Sequence, residues 1–481
     1  MQETPAGDRL ESSRRRAFAQ TARTAFDEQR GSIRQDTSEG GEHRQHQARA
    51  GQESSFARHK PPSRGRQRRA RYSRGQKLII GLALAAAVIA ALPLGGYLVI
   101  KLMARQQAQA TATQTAIIVA ATPISRIQDP ERREALFIDQ MIEHMTLDEE
   151  LGQMLVGAFL GSTLTPDLQT MIVNDHIGTI ILYGGNMLSV RQLQALDAAA
   201  QAQARIPLFI STDQEGGTVN RLLSISGYRP SAEEIGATND PNRAYRQGVS
   251  DGQILKQLGI NLNLAPVVDV QTVSDAVSIL PTRMYGTTPD KVTDFAGAYL
   301  DGLQSEGVIG SLKHWPGLGS ATVDPHAGLP VLNRSQADLD KIDFAPYRAL
   351  LARGDVDMIL TTHEIVPAYD PNLPASLSPI MIDQVLRHDL GFQGVIITDG
   401  LHMGALSNRW TAAQAAVLAV VAGDDMLLSF QASEIPGVFN ALHAAIQSGQ
   451  ITKARIDLSV ERILALKIKY GLITVPANFQ G

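Results

Sequence analysis

Eight short β-rich runs, with helix-length stretches recurring between them, constrain the fold of this chain more than any other feature. The runs are Met154 to Phe159, Ile177 to Tyr183, Leu208 to Thr212, Ile260 to Leu264, Val308 to Leu312, Met358 to Thr361, Val395 to Thr398 and Met426 to Ser429. Among the intervening segments, Ser189 to Ala204, Asn242 to Leu258, Asp290 to Ser305, Gln336 to Ala352 and Ala412 to Val421 have the length and pattern of helices. Apolar runs this short, bounded by turn residues, read as strands buried on both faces. Their alternation with helices predicts an α/β fold, a single (β/α)8 TIM-type barrel. A doubly wound open sheet has the same local grammar, but the count of eight and the position of the polar residues favour closure. Those residues follow the runs: Gly184-Gly185-Asn186, Asp213-Gln214-Glu215, Pro266 to Asp269, Lys313-His314, His363-Glu364 and Asp399. Closing a barrel brings all of them to one rim, the rim where barrel enzymes do their chemistry.

The barrel is expected over residues 128–475. It opens with two amphipathic helices, Glu131 to His144 and MTLDEELGQML, the second carrying a capping box of Thr146 and Glu149. A last helix is expected over Ser459 to Tyr470. Residues 1–77 hold 18 Lys and Arg against 9 Asp and Glu and few aliphatic side chains, so they are expected to stay disordered. The 23 residues from Leu78 to Ile100 carry no charge. As a helix they reach about 34 Å, enough for one bilayer crossing. The basic excess before them predicts a cytoplasmic tail and an extracytoplasmic barrel at the cell membrane. Ala90-Ala91 would suit a signal-peptide cleavage site, but the long leading segment favours an uncleaved anchor. Residues 101–127 read as a Gln-, Ala- and Thr-rich spacer. From Met103 onward there are 25 Lys and Arg against 39 Asp and Glu, a balance that argues against nucleic acid as a partner of the outer domain. The basic cluster from Arg64 to Lys77 would suit anionic lipid better than nucleic acid, because it adjoins the span.

The chain has no cysteine, and it lacks an HExxH zinc motif, a GxxxxGK[ST] phosphate loop and a GxSxG elbow. No metal or cofactor is expected. What remains is carboxylates and imidazoles. The stretch Lys313 to Pro330, KHWPGLGSATVDPHAGLP, is expected to be a long loop leaving a strand, with Lys313, His314, Asp324 and His326 all on it. Pro325 favours an extended backbone before it, which would point Asp324 and His326 to the same side. An imidazole paired with a carboxylate can act as general acid and then as general base. Asp399, between a β-rich run and Gly400, can stand at the rim. A nucleophilic carboxylate with a nearby acid/base meets the requirement of a retaining glycosidase.

At these residues the chain resembles the bacterial β-N-acetylglucosaminidases of glycoside hydrolase family 3. The long loop is similar to their KHFPGHGD-T-x-x-D-S-H signature. DQEGGTVNRL at Asp213, NLAPVVDV at Asn263, TRMYG at Thr282, TTHEIVPAYDP at Thr361, PASLSP at Pro374, VIITDGLHMGAL at Val395 and RIDLSVERILALK at Arg455 resemble further blocks in the same order. The resemblance spans Pro130 to Leu472. It implies a barrel that removes a terminal β-linked N-acetylglucosamine from peptidoglycan- or chitin-derived glycans with retention. Asp399 matches the nucleophile, His326 the acid/base and Asp324 its orienting partner. Asp213, Arg283, Lys313 and His314 match groups that bind sugar hydroxyls, with Arg221 and His363 as further substrate-site positions. Taken alone, Arg221 would equally suit an ion pair with Glu215, and His363 an interior histidine.

The sequence departs from the family pattern at Leu318, Ser320, Thr398 and Gly400. The first two lie in the acid/base loop and bear on rate and substrate range. A β-glucosidase or a glycoside phosphorylase on the same barrel, and a glycan-binding protein weakened at Leu318 and Ser320, are the alternatives. The oligomeric state is not legible.

Overall fold

The computed structural model describes residues 130–479. The expected tail, membrane span and spacer lie outside the described residues. Among the described residues, no helix is long and apolar enough to cross a membrane.

Eight parallel strands close into a barrel, as the alternation predicts. They are β1 (Leu155–Ala158), β2 (Thr179–Leu182), β3 (Phe209–Thr212), β4 (Leu262–Asn263), β5 (Ile309–Trp315), β6 (Met358–Thr361), β7 (Val395–Gly400) and β8 (Met426–Phe430). Each pairs with its neighbours in sequence, and β8 returns to β1 with Leu427 opposite Leu155. Every residue of β1, β2, β3 and β6 is buried, which explains runs without polar alternation.

The sequence signals for helices operate as local chemistry demands. Thr146 Oγ1 accepts from the Glu149 amide, and Glu149 Oε2 accepts from the Thr146 amide at 2.8 Å, completing the capping box. The helix Pro241–Leu258 begins with Asp240 as its cap and ends at Gly259, whose φ of 92° suits only glycine at low cost. One expected helix is two: Gln336–Lys341 and Ala345–Leu351. Pro346 has no amide hydrogen to offer the carbonyl four residues earlier, so the run breaks. The break lets Phe344 turn inward and stack on Trp315 at 4.9 Å.

The helix Lys453–Lys469 covers the end of the barrel away from the strand exits. Its Lys467 is fully buried, donating to Gln153 Oε1 at 2.8 Å and to the Gly178 carbonyl at 3.1 Å, ahead of β1 and β2. Without a carboxylate partner, burial pushes this ammonium down to about 7.

Asp197, in the helix Val190–Gln203, is 2% exposed and neither carboxylate oxygen has a hydrogen-bond partner. Burial pushes it up to about 8. A carboxyl raised in the fold contributes fully below its unfolded value near 3.8, and that contribution is lost as pH rises through about 8. Asp197→Asn is therefore expected to gain on the parent as pH rises across that window, by up to about 1.4 kcal/mol per pH unit. Thermal unfolding of both proteins at each end of the window checks this; a Tm difference that does not change with pH would refute it.

Candidate active site

The strand exits carry a connected set of charges. Directly after β3 comes Asp213, and the short hairpin of Gln214–Gly216 with Val219–Asn220 presents Glu215 and leads to Arg221. On β5 stand Lys313 and His314, which belong to the strand and not to the loop expected there. Pairing of Lys313 with Val267 and of Trp315 with Thr361 carries the strand three residues beyond its apolar run. The burial of Trp315 between Phe344 and Tyr347 holds that extension in place.

Lys313 Nζ donates to Asp213 Oδ1 at 2.9 Å and lies 2.6 Å from Glu215 Oε1. Arg283 closes the set with a two-pronged contact on Glu215, both bonds 2.8 Å. Burial raises Glu215's affinity for a proton, but Arg283 and Lys313 outweigh it and hold the carboxyl well below its usual range. Asp213 is likewise held below its usual range against burial by Lys313 and Arg221. For Lys313 the two carboxylates more than offset desolvation and keep the ammonium charged.

The protonation of His314 follows from its partners. Arg283 Nη2 lies 3.2 Å from Nε2, and a guanidinium can only donate, so Nε2 accepts. Nδ1 then carries the hydrogen and donates to Asp269 Oδ2 at 2.7 Å. Asp269 also accepts from the Leu318 amide at 2.8 Å, tying this histidine to the root of the following loop. Leu318 itself, buried beside Val267, Leu280, Met284 and Ala321, forms a small apolar cluster apart from the main core.

Arg221 does not pair with Glu215, whose oxygens are already engaged. Its Nη2 lies 3.7 Å from Asp213 Oδ2, and its guanidinium sits over the Tyr183 ring at 5.6 Å. His363 is fully buried behind the rim. Its Nε2 is 3.0 Å from the Gly400 carbonyl, which can only accept, and its Nδ1 is 2.7 Å from Ser376 Oγ. The ring is therefore a neutral Nε2–H tautomer, and burial holds its pKa down against the pull of Asp399. The resemblance puts it among the substrate positions, and its own surroundings are those of the interior histidine that the sequence equally allowed: it braces the backbone beside Asp399 from behind. Asp399 stands near the end of β7, with Oδ1 accepting from the Gly400 amide at 2.7 Å.

Asp324 and His326 do meet, but through a turn and not an extended segment. The Ala327 and Gly328 amides both bond the Asp324 carbonyl, at 2.9 and 3.0 Å. Asp324 Oδ1 accepts from the His326 amide at 2.8 Å and lies 2.8 Å from His326 Nδ1. Against partial desolvation, those two bonds hold the Asp324 carboxyl below its usual range. The pair is solvent-facing, with His326 73% exposed.

A cleft of about 360 Å³ joins these parts. Asp213, Arg221, Arg283, His314, Asp324, His326 and Asp399 all line it, whereas Lys313 and His363 lie behind its wall. Glu215 and Asp269 are the functional neighbours without an assigned role in the sequence reading. Both stand at strand exits, which was the available signal; their partners are far away in sequence. Among the described residues, no grouping of His, Asp or Glu is arranged to hold a metal ion.

Residues 146–466 match the glycosyl hydrolase family 3 N-terminal domain. The chain belongs to glycosyl hydrolase family 3. It is similar to beta-hexosaminidase LpqI of Mycobacterium tuberculosis, 31% identical over 393 residues covering 80% of this chain and 96% of that protein. Among solved structures it resembles the family 3 beta-N-acetylglucosaminidase of Paenibacillus sp., with TM-score 0.66 and 36% identity over 69% of this chain and 65% of that one. The structure of LpqI is similar with TM-score 0.64 and 31% identity, over 72% of this chain and 98% of that one. This family 3 barrel is a glycosidase of the β-N-acetylhexosaminidase type.

Proposed function

We propose that this protein removes terminal β-linked N-acetylglucosamine from peptidoglycan- or chitin-derived glycans through a covalent intermediate on Asp399. The observation that carries the reading is the shared cleft: a carboxylate at the end of β7 and an imidazole whose Nδ1 is held by Asp324. The names of the relatives support the amino sugar.

In the first step Asp399 attacks the anomeric carbon as the glycosidic C–O bond breaks. His326, doubly protonated, gives its Nε2 proton to the departing oxygen and keeps its Nδ1 proton on Asp324. In the second, neutral Nε2 takes a proton from water, the water oxygen bonds the anomeric carbon, and the ester to Asp399 breaks. Two displacements retain the configuration. Asp213, Arg221 and Arg283 bind sugar hydroxyls, Lys313 keeps Asp213 an ionised acceptor, and His314, with both ring nitrogens engaged by Arg283 and Asp269, positions Arg283 at the cleft wall.

The test follows release of the aryl group from aryl β-N-acetylglucosaminide and aryl β-glucoside by the full-length chain, with and without phosphate. Preference for the amino sugar, with free sugar as product even in phosphate, is expected. Faster cleavage of the glucoside, or a sugar phosphate product, would overturn the assignment. His326→Ala is expected to lose about 10²-fold or more on poor leaving groups and far less on activated ones. The uncharged run from Leu78 to Ile100 supports a membrane anchor with the barrel outside. Release of the chain from membranes by alkaline washing alone would refute that anchor.

A further inference from the structure

The turn that follows Asp399 carries an imidazole with no part in the two steps above. His402 is exposed and lines the cleft beside Asp399 and His326. Neither of its ring nitrogens has a hydrogen-bond partner among the described residues. A histidine satisfied by its own fold would look like His363 or His314, with both nitrogens engaged.

Its ring lies against Gly400. A Cβ at that position would come within 2.9 Å of His402 Cε1 and 3.3 Å of Nδ1, so a larger residue there would displace the ring. The absence of a side chain at 400 and the presence of the imidazole at 402 are thus coupled.

The same segment supports the acid/base turn. The Ala405 amide donates to the Pro325 carbonyl at 2.8 Å, and a Cβ on Gly404 would lie 2.2 Å from the His326 carbonyl oxygen. His402 is therefore on the side of the cleft that holds His326. Asp213 and Glu215 line the same cleft from the exit of β3, the strand opposite β7 in the closed barrel. In the reaction read above, His326 meets the oxygen of the departing group, so its side of the cleft is where that group lies.

We infer that His402 is a specificity-determining residue for the leaving group, hydrogen-bonding a departing sugar through its free imidazole. The inference rests on the assignment of Asp399 and His326. A sugar offers hydroxyl and acyl groups to such a donor and acceptor; a small aryl group offers little.

The experiment compares kcat/KM of the full-length chain, His402→Ala and His402→Gln on β-1,4-linked N-acetylglucosamine disaccharide and on 4-nitrophenyl β-N-acetylglucosaminide. Loss of one such hydrogen bond is expected to lower the disaccharide-to-aryl ratio about tenfold in His402→Ala. His402→Gln, which keeps a donor and an acceptor, should recover part of it. Both substrates form the same glycosyl-enzyme and kcat/KM covers only the steps up to it, so a defect in its hydrolysis changes neither value and a general loss of fold lowers both alike; an unshifted pH profile of kcat/KM on the disaccharide separates the expected result from a displaced His326. An unchanged ratio in His402→Ala would overturn the inference, and His402→Phe, which keeps a ring without donor or acceptor nitrogens, decides the matter if the alanine variant does not fold. Asp399→Asn run alongside separates the two levels: parent-like turnover there removes the mechanism, whatever the ratio.

Discussion

Asp399→Asn is expected to stop turnover while leaving the fold and the sugar site in place. The amide has nearly the same shape, and its oxygen can still accept from the Gly400 amide as Asp399 Oδ1 does at 2.7 Å. What it lacks is the charge and nucleophilicity needed at the anomeric carbon. Removing a nucleophile from a two-step displacement costs on the order of 10⁴-fold or more in kcat. The measurement is release of 4-nitrophenol from its β-N-acetylglucosaminide, with binding of N-acetylglucosamine followed by calorimetry. Parent-like release would mean that another group forms the covalent bond. Lost binding together with lost turnover would instead point to a disturbed cleft.

Glu215→Ala should be the most damaging single change to the architecture of the site. Glu215 faces both Arg283 and Lys313, and its side chain is 7% exposed. Without it, two buried cations share Asp213 as their remaining carboxylate in the set, and Arg283 loses both of its 2.8 Å bonds. Breaking a buried ion pair from one side typically costs about 3–5 kcal/mol, because the abandoned charge stays desolvated. Denaturant unfolding should show a loss in this range. Glu215→Gln, which keeps an acceptor for one of the donors, should lose less. Activity should fall by about 10²-fold even where the variant remains folded, since Arg283 and Lys313 are no longer aimed. By contrast, Arg348 and Asp340 pair at the surface with about half of each side chain exposed, and Arg348→Ala should change stability by well under about 1 kcal/mol. Equal losses at the two positions would show that the buried network carries no special weight.

Much of this was legible from local chemistry. A β-rich run of four to seven residues between turn signals favours an extended backbone locally, so all eight strands could be placed. The capping box at Thr146 and Glu149 is equally local, since both partners lie within one turn. Asp324 and His326 could be paired for the same reason, although the chain joins them with a turn whose carboxylate caps its own backbone.

The misreadings concern contacts made at a distance. Lys313 and His314 were expected on a loop because the apolar pattern stops at Leu312, but pairing with Val267 beyond β4 and with Thr361 of β6 keeps the backbone extended through Trp315. His363 matched a substrate-site position of the resembling family, and on its own it equally suited an interior histidine. Burial, Ser376 and the Gly400 carbonyl make it a brace. Glu215 and Asp269 sat in view at strand exits without a role, because their meaning depends on Arg283 and His314.

The sequence alone determined the alternation of eight strands with helices and the strand exits on which chemistry could gather, because strand and helix periods and turn residues act over a few neighbours. Only the tertiary structure decided which charge faces which. Lys313 meets Asp213 across 100 positions and Arg283 meets Glu215 across 68, distances along the chain over which no periodicity carries information. Those contacts follow from barrel geometry, which converges the strand ends and removes the water that would otherwise screen their charges.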